Sequence, residues 1–74
     1  MNHVVAAELV ANVAQVLVTP GDQVAPGDML VLLDSMKMEI PVLSEFGGTV
    51  IEVAVHVGEV VTEGDVLAVI EETG

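Results

Sequence analysis

The chain has 74 residues, in which a single lysine, Lys37, stands against 12 carboxylates and no arginine, giving a formal net charge of −11. Nucleic acids and anionic membranes select basic faces, so this charge excludes both as partners. The absence of cysteine excludes disulfides and thiolate metal sites. Because the sequence also shows neither a membrane span nor a secretory leader, we expect a soluble, cytoplasmic domain.

The amino-acid composition is that of a β-protein. Valine supplies 17 of the 74 residues, and Phe46 is the only aromatic residue. β-Branched side chains are stiff and pack well on a pleated sheet, whereas no segment shows a helical spacing of apolar residues. A chain this short forms one domain, so we predict a single all-β domain over residues 1–74.

The first half of the chain predicts strands separated by turns. Pro-Gly-Asp occurs at 20–22 and again at 26–28, where a fixed φ, a free φ and a carboxylate that accepts backbone hydrogen bonds predict turns. A short strand lies between these turns, and a closing strand is predicted over 30–34. Before them, apolar and polar residues alternate as in a half-buried strand, with Ala14, Val16 and Val18 on one face and Gln15 and Thr19 on the other.

The middle of the chain predicts a tight hairpin. An extended segment restarts at 38–43, so the turn between it and the closing strand is centred on Met36 and Lys37. Neither residue favours the positive φ that such a turn requires, and a turn of this kind usually serves something besides folding. The second half then repeats the first, with Ile51, Val53 and Val55 opposed to Glu52 and His56, turns at 58–59 and 63–65, and a closing strand over 67–71.

A shift of 37 positions superimposes the two halves of the sequence. It carries turn glycines onto turn glycines and strand valines onto strand valines. The identical pairs include Gly21 and Gly58, Gly27 and Gly64, Asp28 and Asp65, Val13 and Val50, Val16 and Val53, Val18 and Val55, Val24 and Val61, and Leu30 and Leu67. Neither half can bury its apolar face alone. We therefore predict a flattened barrel-sandwich hybrid of two small antiparallel sheets with pseudo-twofold symmetry and with Lys37 at a hairpin tip.

The residues around this turn resemble those of a known family. Met36, Lys37 and Met38, preceded by Asp-Ser and followed by glutamate, are similar to the attachment motif of biotinyl domains, the biotin carboxyl carrier family. The resemblance continues through Gly-Gly-Thr-Val at 47–50 and the closing repeat at 58–67, and it covers nearly the whole chain. Short stand-alone biotinylated proteins of actinobacteria are especially similar in length and pattern.

The resemblance implies a carrier protein rather than an enzyme. Lys37 is then expected to hold covalent biotin attached by biotin protein ligase, and Met36 and Met38 to mark the site for the ligase and the carboxylase centres. Other expected partners are biotin carboxylase and carboxyltransferase components, between which carboxybiotin is shuttled. No catalytic or metal-ligating residues are expected, because His3 and His56 lie far apart and the carboxylates are spread along the strands.

The residues alone leave other interpretations open. A lipoyl carrier, or a carrier of both biotin and lipoate, fits the same fold, although lipoyl domains usually flank the lysine with Asp and Ala. An acyl carrier protein fits Asp-Ser-Met at 34–36 but not the valine-rich composition, and an unmodified interaction module needs no chemistry at Lys37. The methionines alternatively pack at strand ends. The carboxylates keep the domain soluble and monomeric or steer it towards basic partner surfaces, and these two roles are compatible.

Three polar residues near the motif carry structural expectations. Asn12 lies where many family members are rich in proline and glycine, so we expect it to take the left-handed conformation usually given to glycine. Glu39 either orients the lysine or a partner, or is an ordinary solvated strand residue. Asp34 matches Glu71 in the repeat and is expected to have a structural role at the strand end.

Overall fold

Eight β-strands account for the regular structure of residues 1–72, the part of the chain that this computed structural model describes. The strands are β1 (Asn2–Ala6), β2 (Ala11–Val16), β3 (Gln23–Val24), β4 (Met29–Ser35), β5 (Met38–Leu43), β6 (Gly48–Val53), β7 (Val60–Val61) and β8 (Val66–Glu72). In this part of the chain no helix is long and apolar enough to cross a membrane. The last residues of the predicted 1–74 domain, Thr73 and Gly74, lie outside the described range.

The strands form two four-stranded antiparallel sheets of matching topology. Sheet A has the strand order β1-β8-β6-β3, and sheet B has the order β5-β4-β2-β7. Moving four strands along the chain converts one order into the other, so β1–β4 and β5–β8 are structural repeats. This confirms the predicted all-β sandwich with pseudo-twofold symmetry. Strand β1, which the sequence analysis leaves unassigned, completes the first repeat.

Four β-bulges interrupt the ladders of residues 1–72, and they follow the 37-residue repeat. In β6 the register shifts between Val50 and Glu52, and it shifts at the equivalent place in β2, around Ala14. Each bulge inserts one residue and reverses the alternation that a regular strand keeps. The predicted face of the second half is therefore wrong at Ile51, which is 43% exposed, while its neighbour Val50 is fully buried.

The hydrophobic core lies between the sheets and consists of pairs of equivalent residues. Leu30 and Leu67 are both 0% exposed, and each is a bulge residue of its strand. Burying such a side chain contributes about 1.5 to 3 kcal/mol relative to leaving it in water. Because each half supplies one member of every pair, neither half has a core alone. Other buried pairs are Val13 and Val50, Val31 and Ala68, Leu33 and Ile70, and Val18 and Val55.

Carboxylates hold the turns between the short strands, as predicted. The Asp22 carboxylate accepts a hydrogen bond from the backbone N–H of Thr19 at 2.9 Å, and Glu59 accepts one from His56 at 2.7 Å in the equivalent turn. The glycine of each turn has φ between 92° and 98°, which is a conformation open to a residue without a Cβ. The matching turns repeat this arrangement at Ala25 and Asp28 and at Thr62 and Asp65.

Strand β1 is fastened to its surroundings by a stacked pair of rings and a side-chain hydrogen bond. The His3 ring lies parallel to the ring of Phe46, with centroids 3.6 Å apart and planes 7° apart. Its Nε2 lies 2.6 Å from a carboxylate oxygen of Glu72 in β8. Since Phe46 belongs to the crossover between β5 and β6, the stack ties the edge of sheet A to the segment that connects the two sheets.

Candidate functional site

The hairpin between β4 and β5 presents the residues that the sequence analysis singles out. Ser35 pairs with Met38 at the end of the ladder, which leaves Met36 and Lys37 as the two residues of the turn. Their φ angles are 51° and 67°. Positive φ at both central residues defines the two-residue turn whose twist matches that of its strands. The predicted hairpin tip at Lys37 is confirmed.

This turn is built from residues that disfavour its conformation. Met36 and Lys37 are the only non-glycine residues with positive φ among residues 1–72. Left-handed backbone at such a residue costs about 1 to 3 kcal/mol and persists where the surrounding structure imposes it. The paired strands β4 and β5 impose it here. The expectation of a left-handed Asn12 is wrong, because Asn12 pairs with Asp34 and Val60 in the ladders of sheet B and has extended backbone.

The side chains of the turn stand in solvent. Met36 is 92% exposed and Met38 is 62% exposed, so neither packs into the core. Lys37 is exposed as well, and within residues 1–72 its amine takes part in no hydrogen bond or ion pair. An amine held at a fixed place on a rigid sheet, without a competing partner, is suited to acylation by an enzyme that approaches from outside.

The base of the hairpin is anchored to a distant loop. Ser35 Oγ donates a hydrogen bond to the carbonyl oxygen of Val10 at 3.1 Å, between residues 25 positions apart. Val10 lies in the loop that joins β1 to β2, so this contact fixes the residue before the turn against another segment. The sequence analysis missed it, since serine next to a turn has many local hydrogen-bonding partners and nothing in the pattern indicates a remote one.

Two carboxylates face each other directly below the turn. Asp34 and Glu39 are paired in register across β4 and β5, with Asp34 half-buried and Glu39 exposed. Like charges at such positions destabilise a sheet. Glu39 makes no hydrogen bond or ion pair with Lys37 that would orient it, so the geometry supports Glu39 as an ordinary solvated strand residue. Together, Asp34 and Glu39 place two negative charges at the foot of the hairpin.

The remaining titratable side chains of the described chain do not form a second site. His3 pairs with Glu72, and His56 pairs with Glu59, whose carboxylate lies 2.9 Å from His56 Nδ1. Hydrogen bonds from the His56 ring and backbone lower the pKa of Glu59. Residues 1–72 contain no group of three or more potential metal ligands. The chemistry of this domain is therefore concentrated at the hairpin.

Within residues 1–72, an exposed lysine without a hydrogen-bonding or ionic partner lies on a strained hairpin at the centre of a duplicated β-sandwich, and this arrangement suits a domain that carries a covalently attached group. The sequence model of the biotinyl/lipoyl family, described as biotin-requiring enzyme, matches residues 4–70. This match includes the hairpin, six of the eight strands in full and most of β1 and β8. The chain belongs to the biotinyl/lipoyl family.

Known proteins of similar sequence support this assignment. The chain is 58% identical over 66 residues to the biotinylated protein TB7.3 homolog of Mycobacterium leprae, covering 89% of this chain and 93% of that protein. It is 43% identical over 63 residues to the biotin/lipoyl attachment protein of Bacillus subtilis, covering 85% of this chain and 86% of the relative. Both relatives are short proteins matched over most of their length.

A solved structure has the same fold. The chain superimposes on part of a single-chain, multi-domain long-chain acyl-CoA carboxylase with a TM-score of 0.91 and 30% sequence identity. The match covers 99% of this chain and 7% of that protein. The domain described here thus corresponds to a small portion of a much larger enzyme.

Proposed function

We propose that this protein is a biotin carboxyl carrier that holds biotin on Lys37. The observation that carries the proposal is the lone lysine at the tip of the hairpin, exposed and unpaired within residues 1–72, in a member of the biotinyl/lipoyl family. Relatives described as biotinylated proteins and a matching portion of an acyl-CoA carboxylase support biotin as the attached group. The protein itself is a carrier and not an enzyme.

Attachment is an acylation of the Lys37 amine by a biotin protein ligase. The ligase supplies biotin with its carboxyl group activated by ATP. The Lys37 ammonium first loses a proton; the Nζ lone pair then forms a C–N bond to the carboxyl carbon, the activating group leaves with one carboxyl oxygen, and the nitrogen loses a second proton. The product is a neutral amide, so the formal charge of the protein changes from −11 to −12.

The domain contributes position, whereas the chemistry belongs to the cofactor and the partner enzymes. When bound, biotin supplies a ureido ring that accepts a carboxyl group at one centre and releases it at another. The hairpin holds the tether at a fixed point of a rigid sheet. A short flexible tether gives a local concentration on the order of millimolar at a docked active site, so each transfer is effectively intramolecular.

The methionines on either side of Lys37 serve as contacts for partner enzymes. Their thioether side chains are flexible and polarizable, which suits surfaces that several partners must bind. Their exposure, 92% at Met36 and 62% at Met38, argues against the alternative that they pack at strand ends. The partners in this proposal are a biotin protein ligase and the biotin carboxylase and carboxyltransferase components of a cytoplasmic carboxylase. The acidic surface of the domain attracts basic patches on these partner enzymes.

The test is biotinylation of the purified protein by a biotin protein ligase with biotin and ATP. Intact-mass measurement and streptavidin binding should show one biotinyl group on the wild type and none on Lys37→Arg, which keeps the positive charge. Circular dichroism of the two proteins checks that both are folded. Streptavidin binding by Lys37→Arg, or a wild type that accepts lipoate but not biotin, would overturn the proposal, and the latter result would make the protein a lipoyl carrier.

A further inference from the structure

Two edge strands that are equivalent in the repeat differ at one position. Strand β1 is an edge of sheet A, and β5 is the matching edge of sheet B. The 37-residue shift places Val4 of β1 on Pro41 of β5. Both residues line the groove that separates the two edges. Within residues 1–72, β1 pairs with β8 alone, so its other side has no neighbouring strand.

The free side of β1 carries unpaired backbone groups. The Met1 carbonyl oxygen accepts a hydrogen bond from the Glu72 N–H at 2.9 Å. At the other end of the strand, the Ala7 N–H donates to the Asp65 carbonyl oxygen at 2.8 Å. Alternate residues of an antiparallel strand direct their N–H and C=O to the same neighbour, so the odd-numbered residues face β8. The residues whose backbone groups point away from the sheet are Asn2, Val4 and Ala6.

In β5, a proline stands where β1 has a free N–H. The Ser44 N–H donates to the Asp28 carbonyl oxygen at 2.8 Å. Ala7 makes the equivalent bond in the first half, so Pro41 points outward as Val4 does. Proline has no N–H to donate, and proline on an edge strand is one way in which sheets avoid pairing with another chain. The edge at β5 is therefore blocked, whereas the edge at β1 can accept a further strand.

The charge distribution singles out the same edge for contact between copies of this chain. A net charge of −11 opposes self-association over most of the surface and is the reason to expect a monomer. Strand β1 contains no carboxylate, and its Val4 is 61% exposed. Each of the other edge strands contains or directly follows an acidic residue. These residues are Glu39 in β5, Asp22 before β3 and Glu59 before β7. A second copy thus meets the least charge repulsion at β1.

We propose that β1 is a dimerisation edge, along which a second copy of this chain adds its own β1 in antiparallel orientation. The pairing is self-complementary about Val4, because the Val4 N–H of each copy donates to the Val4 carbonyl oxygen of the other. Asn2 of each copy then lies opposite Ala6 of the other. The two Val4 side chains form a β-branched cross-strand pair. Sheet A continues across the twofold axis as a sheet of eight strands.

Pairing through β1 leaves both attachment sites free. Strand β1 runs towards the loop that contains Val10, which contacts Ser35 at the base of the hairpin. Antiparallel pairing reverses this direction in the second copy, so the two hairpins lie at opposite ends of the dimer. Lys37 takes no part in the interface. The dimer therefore goes beyond the proposed function and does not depend on it.

The first test is sedimentation equilibrium of the wild type and of Val4→Pro. One strand pair is smaller than a standard interface, so we expect a wild-type dimer with a Kd on the order of 100 μM. Val4→Pro removes the N–H at the twofold axis and should raise the Kd at least about tenfold. Pro41 occupies the equivalent place in sheet B, so this variant should fold, and circular dichroism checks that it does. Val4→Thr keeps the N–H and the β-branched shape, and as the matched control it should weaken the dimer less.

The second test uses the wild type alone. Added salt should strengthen the dimer, because it screens the repulsion between two acidic copies. Amide hydrogen exchange at Val4 and Ala6 should slow as the protein concentration rises. Leu43 is the internal control, since it matches Ala6 in the repeat and lies beside Pro41 on the blocked edge, and its exchange should not change.

The outcomes separate this inference from the proposed function. A wild type that stays monomeric at millimolar concentration, or a folded Val4→Pro that dimerises as tightly as the wild type, would overturn the dimer. Protection of the Val4 amide only when carboxylase subunits are added would also overturn it, because the added strand would then come from the carboxylase. Biotinylation of Lys37 should be equal in the wild type and in Val4→Pro. A protein that dimerises through β1 but accepts no biotin would leave this inference standing and remove the proposed function.

Discussion

The two halves of this protein fold alike but end differently. Strands β4 and β5 are joined by the hairpin that carries Lys37, whereas the equivalent strands β8 and β1 pair just as closely with no hairpin between them. The core, the bulges and the turn carboxylates repeat in both halves, but the left-handed turn and the edge strand without proline occur in one. Features that both halves share serve the fold, and features that one half has alone are candidates for function.

This difference explains how a small domain tolerates an unfavourable turn. The strain at Met36 and Lys37 is local, while the buried pairs that hold β4 in place are distributed through both halves. The stability of the core, to which both halves contribute, thus offsets the cost of the strained turn, which occurs in one half only. The following predictions test where this division between symmetric fold and asymmetric site holds.

The largest effects are expected in the core, where the halves should respond equally. Leu30→Ala and Leu67→Ala each remove a side chain that is 0% exposed at an equivalent place. Each should destabilise the protein by about 2 to 5 kcal/mol, measured by urea unfolding, and the two values should agree closely. A large difference between them would mean that the halves do not share the core evenly.

A smaller effect is expected where the halves differ in backbone packing. A Cβ added at Gly48 would meet backbone of Glu71, including its carbonyl carbon at 2.8 Å, so Gly48→Ala should destabilise by about 1 to 3 kcal/mol. The equivalent residue is Ala11, which already accommodates a Cβ, and Ala11→Gly should cost only about 0.5 to 1 kcal/mol. Chemical denaturation of both variants gives the comparison, and a Gly48→Ala protein as stable as the wild type contradicts it.

The turn itself should become more stable when its sequence suits its conformation. Asparagine tolerates positive φ, so Met36→Asn should stabilise the protein by about 1 kcal/mol while slowing modification of Lys37, because a methionine contact is lost. Met38→Asn is the control, as Met38 lies in β5 and asparagine is unfavourable in strands. Equilibrium unfolding and ligase kinetics of both variants decide the matter. A destabilised Met36→Asn protein would show that the turn is not strained.

The smallest expected effect is a pH dependence in one turn of the second half. Hydrogen bonds from His56 lower the pKa of Glu59 from its ordinary value of 4.5. A lowered pKa in the folded state stabilises the fold above that ordinary value, and the contribution disappears as the pH falls through the folded value. The stability advantage of the wild type over Glu59→Gln should therefore shrink between pH 7 and pH 3 in thermal melts. In a His56→Ala background the pH dependence of this advantage should be smaller.

Much of the fold follows from the sequence because the duplication repeats every signal. The four glycine–acid turns, the closing strands and the hairpin around Lys37 are all confirmed, the closing strands being one residue longer at each end. Strand β1 has no turn signal before it and was missed. The 37-residue shift from Val42 to Val5 would have indicated it, since Val42 lies in the strand that β1 mirrors.

The errors arise where a single residue changes the register. In the sequence, Ile51 continues a regular alternation of apolar and polar residues. In the fold, the pairing of β6 with β8 leaves Ile51 unpaired as the extra residue of a bulge, and the sequence of β6 alone does not indicate this. The expectation that Asn12 has a left-handed backbone is wrong for a similar reason, because pairing with Asp34 and Val60 in the sheet sets its conformation. The Ser35–Val10 contact and the position of β1 at the edge of sheet A likewise depend on segments that meet only in the folded chain.

The central claim, that Lys37 is the single attachment point for biotin, is tested most directly on protein purified from its own host. Intact-mass measurement followed by peptide sequencing should show one biotinyl group per chain, located on Lys37. A lipoyl group on Lys37, a biotinyl group on any other amine, or a chain without any adduct in cells whose other biotin proteins are modified would contradict the account.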